Sequence, residues 1–390
     1  MFEDTTKEYS SHFPELQYTA WPSGQMASIA GFGTYRIGRQ NPEHQISLMK
    51  ALMSGINVID TSDNYSDGES ERAIGEVLNH IQHDIKRSDI IIISKYGYIE
   101  GESFTRSQQR KAESNQYPDI IELESGLEYC IHPEFLEEQL HESLQRLQLD
   151  YLDVLLLHNP EMYLMQKHLF EGKSLEEIRD MFYENIAKAF EWMESAVDKG
   201  LIRSYGISSN TLPLSADHPH FCSLEQCLII AKNIKKNHHF QVIQFPFNLV
   251  ETHAATELNQ EDESLTLIEY AEEHNIVCLV NRPLNAMRNN TLIRLSDNGF
   301  QEGIDEQALI EDIYQIAMAS DTFVRNIEVL PYDQKDRDLL VDLITSVAEL
   351  QTKWRNFSSM EEWHTYRTMI LSSMALGLST INKLQDESMI

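Results

Sequence analysis

In the run IIIISK at residues 90–95, four consecutive isoleucines are followed by a serine and then a lysine. Two other runs have the same form: INVID at 56–60 and VLLLH at 154–158. Apolar runs without polar alternation are typical of strands that are buried on both faces of a parallel sheet. Four more short runs fit this description, namely ASIAGF (27–32), SYGIS (204–208), FQVIQ (240–244) and IVCLV (276–280).

Segments of helix length separate these runs, and their apolar residues recur every three or four positions. Leu136, Leu140, Leu144 and Leu147 mark one such segment, with Pro133 suited to its first turn. Another segment spans 182–197, and Gly200 is placed to end it. Alternating strands and helices predict either a doubly wound sheet or a closed barrel.

The residue at the end of each run decides between these two folds. Six successive runs end in a residue able to hydrogen-bond or do chemistry: Asp60, Lys95, His158, Ser208, Gln244 and Arg282. In a (β/α)8 barrel all strand tips surround one site, whereas a doubly wound sheet uses only the tips near its switch point. The glycines at 31, 33 and 38 also lack the G-x-G-x-x-G spacing. We therefore predict a (β/α)8 TIM barrel.

The rest of the chain is predicted to belong to the same single domain, 1–390. A long insertion at 285–376 follows the seventh strand, reads as several helices and should stand over the site. The final stretch 377–390 holds a candidate last strand, GLSTI at 377–381, and a truncated end.

Composition limits the partners and the location. Acidic residues outnumber basic ones 62 to 31, and the formal charge of −31 argues against nucleic-acid or anionic-membrane partners. Neither a secretory signal nor an apolar run of membrane-spanning length is visible. The four cysteines lack C-x-x-C spacing, so we expect small buried residues, a reduced cytoplasmic setting and no metal site.

A tyrosine can act as a general acid, but a free tyrosine with a pKa of about 10 is a poor acid near neutrality. A lysine ammonium at about 4 Å favours tyrosinate by roughly 4 kcal/mol, or about three pKa units. Tyr65 beside Lys95 is therefore expected to titrate closer to 7. Asp60 would hold Lys95 protonated, and His158 would donate to the substrate oxygen.

The same residues resemble the signature of the aldo-keto reductase superfamily. The resemblance covers residues 17–284 and rests on Asp60 to Tyr65, Gly68, Glu71, Gly75, Leu78, Lys95, His158, Pro160, Gly206 to Ser208, Gln244, Phe247 and Asn248. The stretches LHNPE (157–161) and NRPLN (281–285) look like a bacterial branch of that group. The resemblance implies that Asp60, Tyr65, Lys95 and His158 are the catalytic residues.

It also implies a nicotinamide cofactor, NADPH rather than NADH. The implied cofactor-binding residues are Gly33, Thr34, Tyr35, Asp60, Ser208, Ser209, Gln244, Arg282, Pro283 and Leu284. Ser208 and Gln244 suit the carboxamide, which offers one acceptor and two donors. Two features depart from the pattern. Asn281 stands where many family members have an aromatic residue that stacks on the nicotinamide, and the usual last helix that grips the adenosine is expected to be truncated or missing.

The sequence thus predicts an oxidoreductase that reduces a small-molecule carbonyl compound, an aldehyde, ketone or sugar. Tyr96, Tyr98 and Phe104 would line the substrate pocket or simply pack within their loop. One alternative is a non-catalytic nucleotide sensor that binds a protein partner through 285–376. Another is a barrel enzyme of a different class, such as a hydrolase or isomerase.

Overall fold

The computed structural model describes residues 5–166, 172–288 and 291–296. The chain divides into two compact units, 1–295 and 296–390, and all helices and strands described below lie in the first. None of the helices in these described ranges is both long enough and apolar enough to cross a membrane.

Strands and helices are numbered along the chain. The strands are β1 (Tyr18–Ala20), β2 (Met26–Ser28), β3 (Phe32–Gly33), β4 (Val58–Asp60), β5 (Ile91–Tyr96), β6 (Tyr98–Ile99), β7 (Ile121–Glu124), β8 (Leu127–Tyr129), β9 (Leu152–His158), β10 (Ile202–Ser208), β11 (Phe240–Pro246), β12 (Leu258–Gln260), β13 (Leu265–Thr266), β14 (Val277–Asn281), β15 (Asn285–Arg288) and β16 (Thr291–Arg294). The helices are α1 (Thr6–Ser11), α2 (Pro42–Met53), α3 (Glu69–Ile81), α4 (Gly101–Ala112), α5 (Pro133–Leu147), α6 (Met162–Met165), α7 (Leu175–Asp198), α8 (Leu224–Ile234), α9 (His253–Thr256) and α10 (Leu267–Glu273).

Seven parallel strands form the main sheet in the order β3-β4-β5-β9-β10-β11-β14. This spatial order is the order of the strands along the chain, so the sheet has no switch point of the kind that defines a doubly wound fold. The predicted (β/α)8 barrel class is confirmed. The candidate last strand at 377–381 lies outside the described residues.

The sheet is strongly curved. Strands β4 and β11 are four steps apart in the sheet, which in a flat sheet would separate them by about 19 Å. Yet the Nε2 atom of Gln244, on β11, donates to Oδ1 of Asp60, on β4, over 3.0 Å. Side chains that leave the carboxyl ends of these strands therefore meet over the barrel axis.

Helix α5 begins, and helix α7 ends, as the sequence signals indicate, whereas α7 begins at Leu175 and not at residue 182. Helix α5 has Pro133 at its first position, and the side chain of His132 caps it by accepting from the amide of Glu134. Helix α7 begins with a capping box between Ser174 and Glu177. It stops just before Gly200, whose φ of 73° is left-handed.

The first predicted strand was misplaced. The apolar run 27–32 is divided, since Met26–Ser28 pairs antiparallel with Tyr18–Ala20 and only Phe32–Gly33 joins the barrel. Trp21 and Ala27 pack against the interior residues Val58 and Val242, so this hairpin covers the amino end of the barrel. A second, larger core lies between the sheet and its surrounding helices.

Asp153 ties the hairpin to the barrel. Its Oδ1 atom accepts from Nε2 of Gln25 at 2.9 Å, and its Oδ2 atom accepts from Arg87 at 2.7 Å and from the amide of Ile92 at 2.9 Å. Both oxygens of this buried carboxylate therefore accept hydrogen bonds. Asp153 lies at the end of the barrel opposite the carboxyl ends of the strands.

The long connections carry small sheets of their own. After β5, strands β6, β8 and β7 form an antiparallel sheet beside α4. Strands β15 and β16 pair as an antiparallel hairpin at 285–294. The insertion predicted at 285–376 thus begins with this hairpin, and from residue 297 onward, including the stretches where helices are expected, it lies outside the described residues.

Candidate active site

Lys95 lies at the centre of a polar cluster at the carboxyl ends of β4 and β5. Its ammonium nitrogen donates to Asp60 at 2.9 Å, to the main-chain oxygen of Thr61 at 2.7 Å and to the hydroxyl of Tyr65 at 3.2 Å. The side chain is fully buried, so all three hydrogens of the ammonium group find partners within the protein. The sequence prediction that Asp60, Tyr65 and Lys95 meet agrees with this geometry.

Parallel pairing explains why these side chains meet. Asp60 is opposite Ile93 in the β4–β5 register, two residues before Lys95, so both polar residues leave the sheet at the same edge. Tyr65 follows in the turn that enters α3, where Gly68 adopts a left-handed φ of 78°.

The charges in this cluster act in both directions on the pKa values. Burial alone would lower the pKa of the Lys95 ammonium, but Asp60 and Tyr65 outweigh it and the net shift is upward. Burial raises the pKa of Tyr65, the charge of Lys95 lowers it and the charge of Asp60 raises it. The net shift of the Tyr65 pKa is again upward. The Tyr65 pKa therefore does not fall towards 7 as expected, because burial and the charge of Asp60 together outweigh the charge of Lys95.

His158 ends β9 and faces the same space. Its Nδ1 atom lies 3.2 Å from the hydroxyl oxygen of Ser62, and its ring makes edge contacts with Tyr65 and Tyr98 at centroid distances of 6.1 and 5.0 Å. Burial, with the nearby charge of Lys95, lowers the pKa of His158 well below its usual value. The imidazole is therefore neutral at physiological pH.

A hydrogen-bonded chain extends from Asp60 to the predicted carboxamide-binding residues. The Ser208 hydroxyl donates to Oε1 of Gln244 at 3.0 Å, and Gln244 in turn donates to Asp60. Ser209 is fully buried, and its hydroxyl contacts that of Thr211 at 3.1 Å. Ser208 and Gln244 therefore lie together at the site, while Ser209 turns into the loop that follows β10.

Gly33, Thr34 and Tyr35, which were predicted to bind the cofactor, lie at and just after the end of the first barrel strand, and Thr34 contacts the main chain of Asp60. Thr34 is buried, and its amide and hydroxyl donate to the main-chain oxygen of Asp60 at 2.9 and 3.0 Å. Tyr35, by contrast, is 68% exposed and sets the edge of its ring against Tyr65 at 5.2 Å. Gly33 leaves open space where a Cβ atom would be.

Arg282 follows β14 with a left-handed φ of 56°. Its Nη2 atom lies 2.9 Å from a carboxylate oxygen of Glu251 and 3.3 Å from Oδ1 of Asn210. Its buried Nε–H has no hydrogen-bond partner in the described ranges. Pro283 and Leu284 are exposed, so this predicted trio lines an open surface at the rim of the barrel.

Sequence reasoning missed three residues of the site. Ser62 contacts His158, Glu161 accepts from the amide of Asn210 at 2.9 Å, and Asn210 joins Arg282 to Asn159. Ser62 could have been found from its position inside the Asp60–Tyr65 run. No local signal points to the other two, because their contacts join different strand tips.

The three aromatic residues that follow Lys95 in the sequence, Tyr96, Tyr98 and Phe104, were predicted either to line the substrate pocket or to pack within their loop, and they differ in what they do. The Tyr98 ring contacts His158, and its hydroxyl accepts from the side-chain amide of Asn159 at 2.9 Å. Tyr96 is wholly buried in the core between sheet and helices, and Phe104 packs against that core. Tyr98 is thus the member of this group that lines the site.

Among the described residues, no group of three or more His, Cys, Asp or Glu side chains could hold a metal ion. The polar side chains around Lys95 can transfer protons and form hydrogen bonds. A tyrosine hydroxyl within reach of a protonated lysine can release a proton, and a neutral imidazole beside it can bind a polar substrate group.

Comparison with known proteins shows which family the chain belongs to. Residues 30–317 match the aldo/keto reductase family. An uncharacterized oxidoreductase of Bacillus subtilis, YqkF, is 28% identical over 182 residues, which cover 47% of this chain and 45% of that protein. The NADH-specific methylglyoxal reductase of Escherichia coli is 28% identical over 142 residues, covering 34% of this chain and 38% of the reductase.

These matches span less than half the length of either relative. Among solved structures, an aldo-keto reductase from Klebsiella pneumoniae in complex with NADPH aligns over 69% of this chain and 68% of its own, with 18% identity and a TM-score of 0.40. The match over residues 30–317 is what decides the classification, since it covers well over half of the chain. This protein belongs to the aldo/keto reductase family.

Proposed function

We propose that the protein reduces a small carbonyl compound with a nicotinamide cofactor, with Tyr65 as the general acid. The observation that supports this is the contact of the buried Lys95 ammonium with both Tyr65 and Asp60. In this role Tyr65 gives its proton to the carbonyl oxygen as negative charge develops there. Lys95 stabilises the tyrosinate that remains, and Asp60 keeps Lys95 charged and oriented.

The raised pKa of Tyr65 fits an acid rather than a base. Because burial and Asp60 raise it, the hydroxyl is fully protonated near neutral pH and is ready to donate. Lys95 is the group that eases the loss of that proton, since its charge favours the tyrosinate. His158, neutral beside Tyr65, would hydrogen-bond the substrate.

The residues present suit a nicotinamide. When bound, the reduced cofactor supplies a hydride to the carbonyl carbon. Ser208 and Gln244 lie side by side at the strand tips and would hold the carboxamide. Arg282 presents an Nε–H without a partner in the described ranges where the pyrophosphate is expected, although Glu251 offsets part of its charge.

The nucleotide that would supply the hydride is NADPH or NADH. The stretch 377–390, predicted as a candidate last strand and a truncated end without the usual adenosine-gripping helix, lies outside the described residues. The Klebsiella structure contains NADPH, while the Escherichia coli relative is specific for NADH. We take NADPH as the first candidate on the resemblance, and both nucleotides belong in the test.

The test combines a fluorescence titration with NADPH and NADH and a screen of aldehydes, ketones and sugars. The expected result is nucleotide binding, turnover of at least one carbonyl compound, and loss of that turnover in Tyr65→Phe with nucleotide affinity unchanged. Unchanged turnover in Tyr65→Phe would contradict the role of Tyr65. Failure to bind either nucleotide at millimolar concentration by a folded protein would contradict the proposal and favour a non-catalytic barrel.

A further inference from the structure

Glu161 is a buried carboxyl group that the proposed reaction does not use. It lies directly before α6 and is only 1% exposed. We propose that Glu161 is a positioning residue for nucleotide binding, and that it holds the loop after β10 in place while its carboxyl group carries a proton. Its effect on nucleotide affinity deepens the proposed function and rests on it.

The two oxygens of this carboxyl group differ in their partners. Oε1 accepts from the main-chain amide of Asn210 at 2.9 Å. Oε2 is also buried, and it makes no hydrogen bond within the described ranges. An ionised carboxylate would leave negative charge on that second oxygen without a donor, which is costly in a buried place. A protonated carboxyl group avoids this cost and still accepts from Asn210.

The titratable groups that interact with Glu161 from other elements are two tyrosines and a cysteine. They are Tyr98 on β6, Tyr129 on β8 and Cys222 before α8. None of these side chains can carry a positive charge, so none of them compensates an ionised carboxylate. Burial therefore raises the pKa of Glu161 to about 7, and the hydrogen bonds that the carboxyl group receives offset burial only in part.

Asn210 connects this carboxyl group to the proposed cofactor site. Its side-chain nitrogen donates to Oδ1 of Asn159 at 3.1 Å, and its Oδ1 atom accepts from Nη2 of Arg282 at 3.3 Å. One residue of the loop thus joins the carboxyl ends of β9, β10 and β14. The Asn210 side chain is exposed, so its position depends on the main chain that Glu161 holds.

Ionisation of Glu161 is expected to release this loop, because an opened loop lets water solvate the carboxylate. Asn210 then leaves Arg282, which keeps its contact with Glu251 but is no longer held from the side of β10. A nucleotide that needs the ordered arrangement binds the closed form, in which Glu161 is protonated. Above pH 7 nucleotide binding therefore takes up one proton.

Proton uptake gives the nucleotide affinity a defined pH dependence. Since the pKa of Glu161 is about 7 in the free protein, uptake of one proton makes Kd rise about tenfold between pH 6 and pH 8. The measurement is a fluorescence titration with NADH, or with NADPH where NADH does not bind. The 2′-phosphate of NADPH ionises in the same range, but it does so equally for the wild-type protein and its variants.

Three variants separate the charge of Glu161 from its hydrogen bond. Glu161→Gln keeps the acceptor but cannot ionise, so its Kd should stay within about twofold between the two pH values. Glu161→Leu lacks the acceptor and should bind about tenfold more weakly at both. Glu194→Gln is the matched control, because Glu194 is also buried and accepts from a main-chain amide, that of His239 at 2.6 Å just before β11. It should keep the wild-type pH dependence, and the same pH dependence in Glu161→Gln would overturn the proposal.

The proton on Glu161 can also be followed without any nucleotide. In protein labelled with nitrogen-15 at asparagine, the main-chain amide signal of Asn210 is assigned by its loss in Asn210→Ser. This signal should titrate near pH 7 in the wild-type protein and not in Glu161→Gln. A wild-type signal that does not titrate between pH 5 and pH 9 would refute the role of Glu161, even where its variants do not fold. Failure of the wild-type protein to bind either nucleotide would contradict the proposed function instead, and the titration of Asn210 would still be read.

Discussion

Gln244 and Asp60 are 184 residues apart in the chain, and a hydrogen bond of 3.0 Å joins their side chains across the carboxyl end of the barrel. Asp60 therefore has two donors, the Lys95 ammonium and the Gln244 amide. Gln244 also accepts from Ser208. One continuous set of hydrogen bonds thus connects the proposed proton donor to the proposed carboxamide site.

The first prediction concerns this connection. Gln244→Met keeps the length of the side chain but removes both hydrogen bonds, so it should weaken nicotinamide nucleotide binding about tenfold. The measurement is the Kd from a fluorescence titration. The matched control is Gln25→Met, since Gln25 is also buried and donates to an aspartate, Asp153, at the other end of the barrel. Similar Kd values for the two variants would count against the role of Gln244.

A second prediction separates the effect of Lys95 on Tyr65 from the effect of burial. Lys95 lowers the Tyr65 pKa while burial raises it, so Lys95→Met should raise that pKa further. Turnover should fall by about a thousandfold, within the range found for loss of general acid catalysis. The pKa is read from tyrosinate absorbance near 295 nm as the difference from the same variant carrying Tyr65→Phe.

Lys188→Met is the control for this substitution, because Lys188 is an exposed lysine that pairs with Asp119 on the surface. It should change neither the Tyr65 titration nor turnover. A lower Tyr65 pKa in Lys95→Met would show that Lys95 does not act on Tyr65 by its charge.

The sequence predicts much of this site because its signal is local. An apolar run that ends in a polar residue identifies a buried strand and its tip, and parallel strands bring their tips to one edge. That rule is sufficient to bring Asp60, Lys95 and His158 together. It fails at residues 27–32, since a short apolar run does not reveal whether its partner is a hairpin strand or a barrel strand.

What the sequence could not predict depends on distant contacts. The direction of the Tyr65 pKa shift is set by how fully the folded chain buries the ring, which no spacing in the sequence gives. The contact between Ser62 and His158 joins residues 96 positions apart. The pairing of Arg282 with Glu251 likewise follows from where two loops meet.

A third prediction concerns Glu161, which is buried beneath the loop after β10. Burial raises the pKa of this carboxyl from 4.5 to about 7. Because the folded state binds the proton more tightly than the unfolded chain does, the contribution of Glu161 to stability is fully present below about pH 4.5. It is lost as the pH rises through about 7.

Glu161→Gln keeps an acceptor for the amide of Asn210 and removes the titration. The free energy of unfolding of this variant, compared with the wild-type protein, should therefore improve by about 3 kcal/mol between pH 5 and pH 8. Urea denaturation at the two pH values measures this difference, with Glu184→Gln on the exposed side of α7 as the control. Parallel pH profiles for the wild-type protein and Glu161→Gln would contradict the raised pKa.

The last prediction concerns the spacing of the barrel strands. Gly206 lies in β10, beside a shift in the register with β11, and a Cβ atom added there would be 1.6 Å from the main-chain oxygen of Val242. A backbone oxygen held in a central strand cannot move aside as a flexible side chain can, so Gly206→Ala must push two barrel strands apart. We expect a loss of at least about 3 kcal/mol in the free energy of unfolding, or failure to fold. Gly38→Ala is the matched control, because the nearest atom to its new Cβ, in Glu69, is at an ordinary 3.9 Å. Its stability in urea should stay within about 1 kcal/mol of the wild-type value, and an equally mild effect of Gly206→Ala would mean that β10 and β11 are not packed as closely as described.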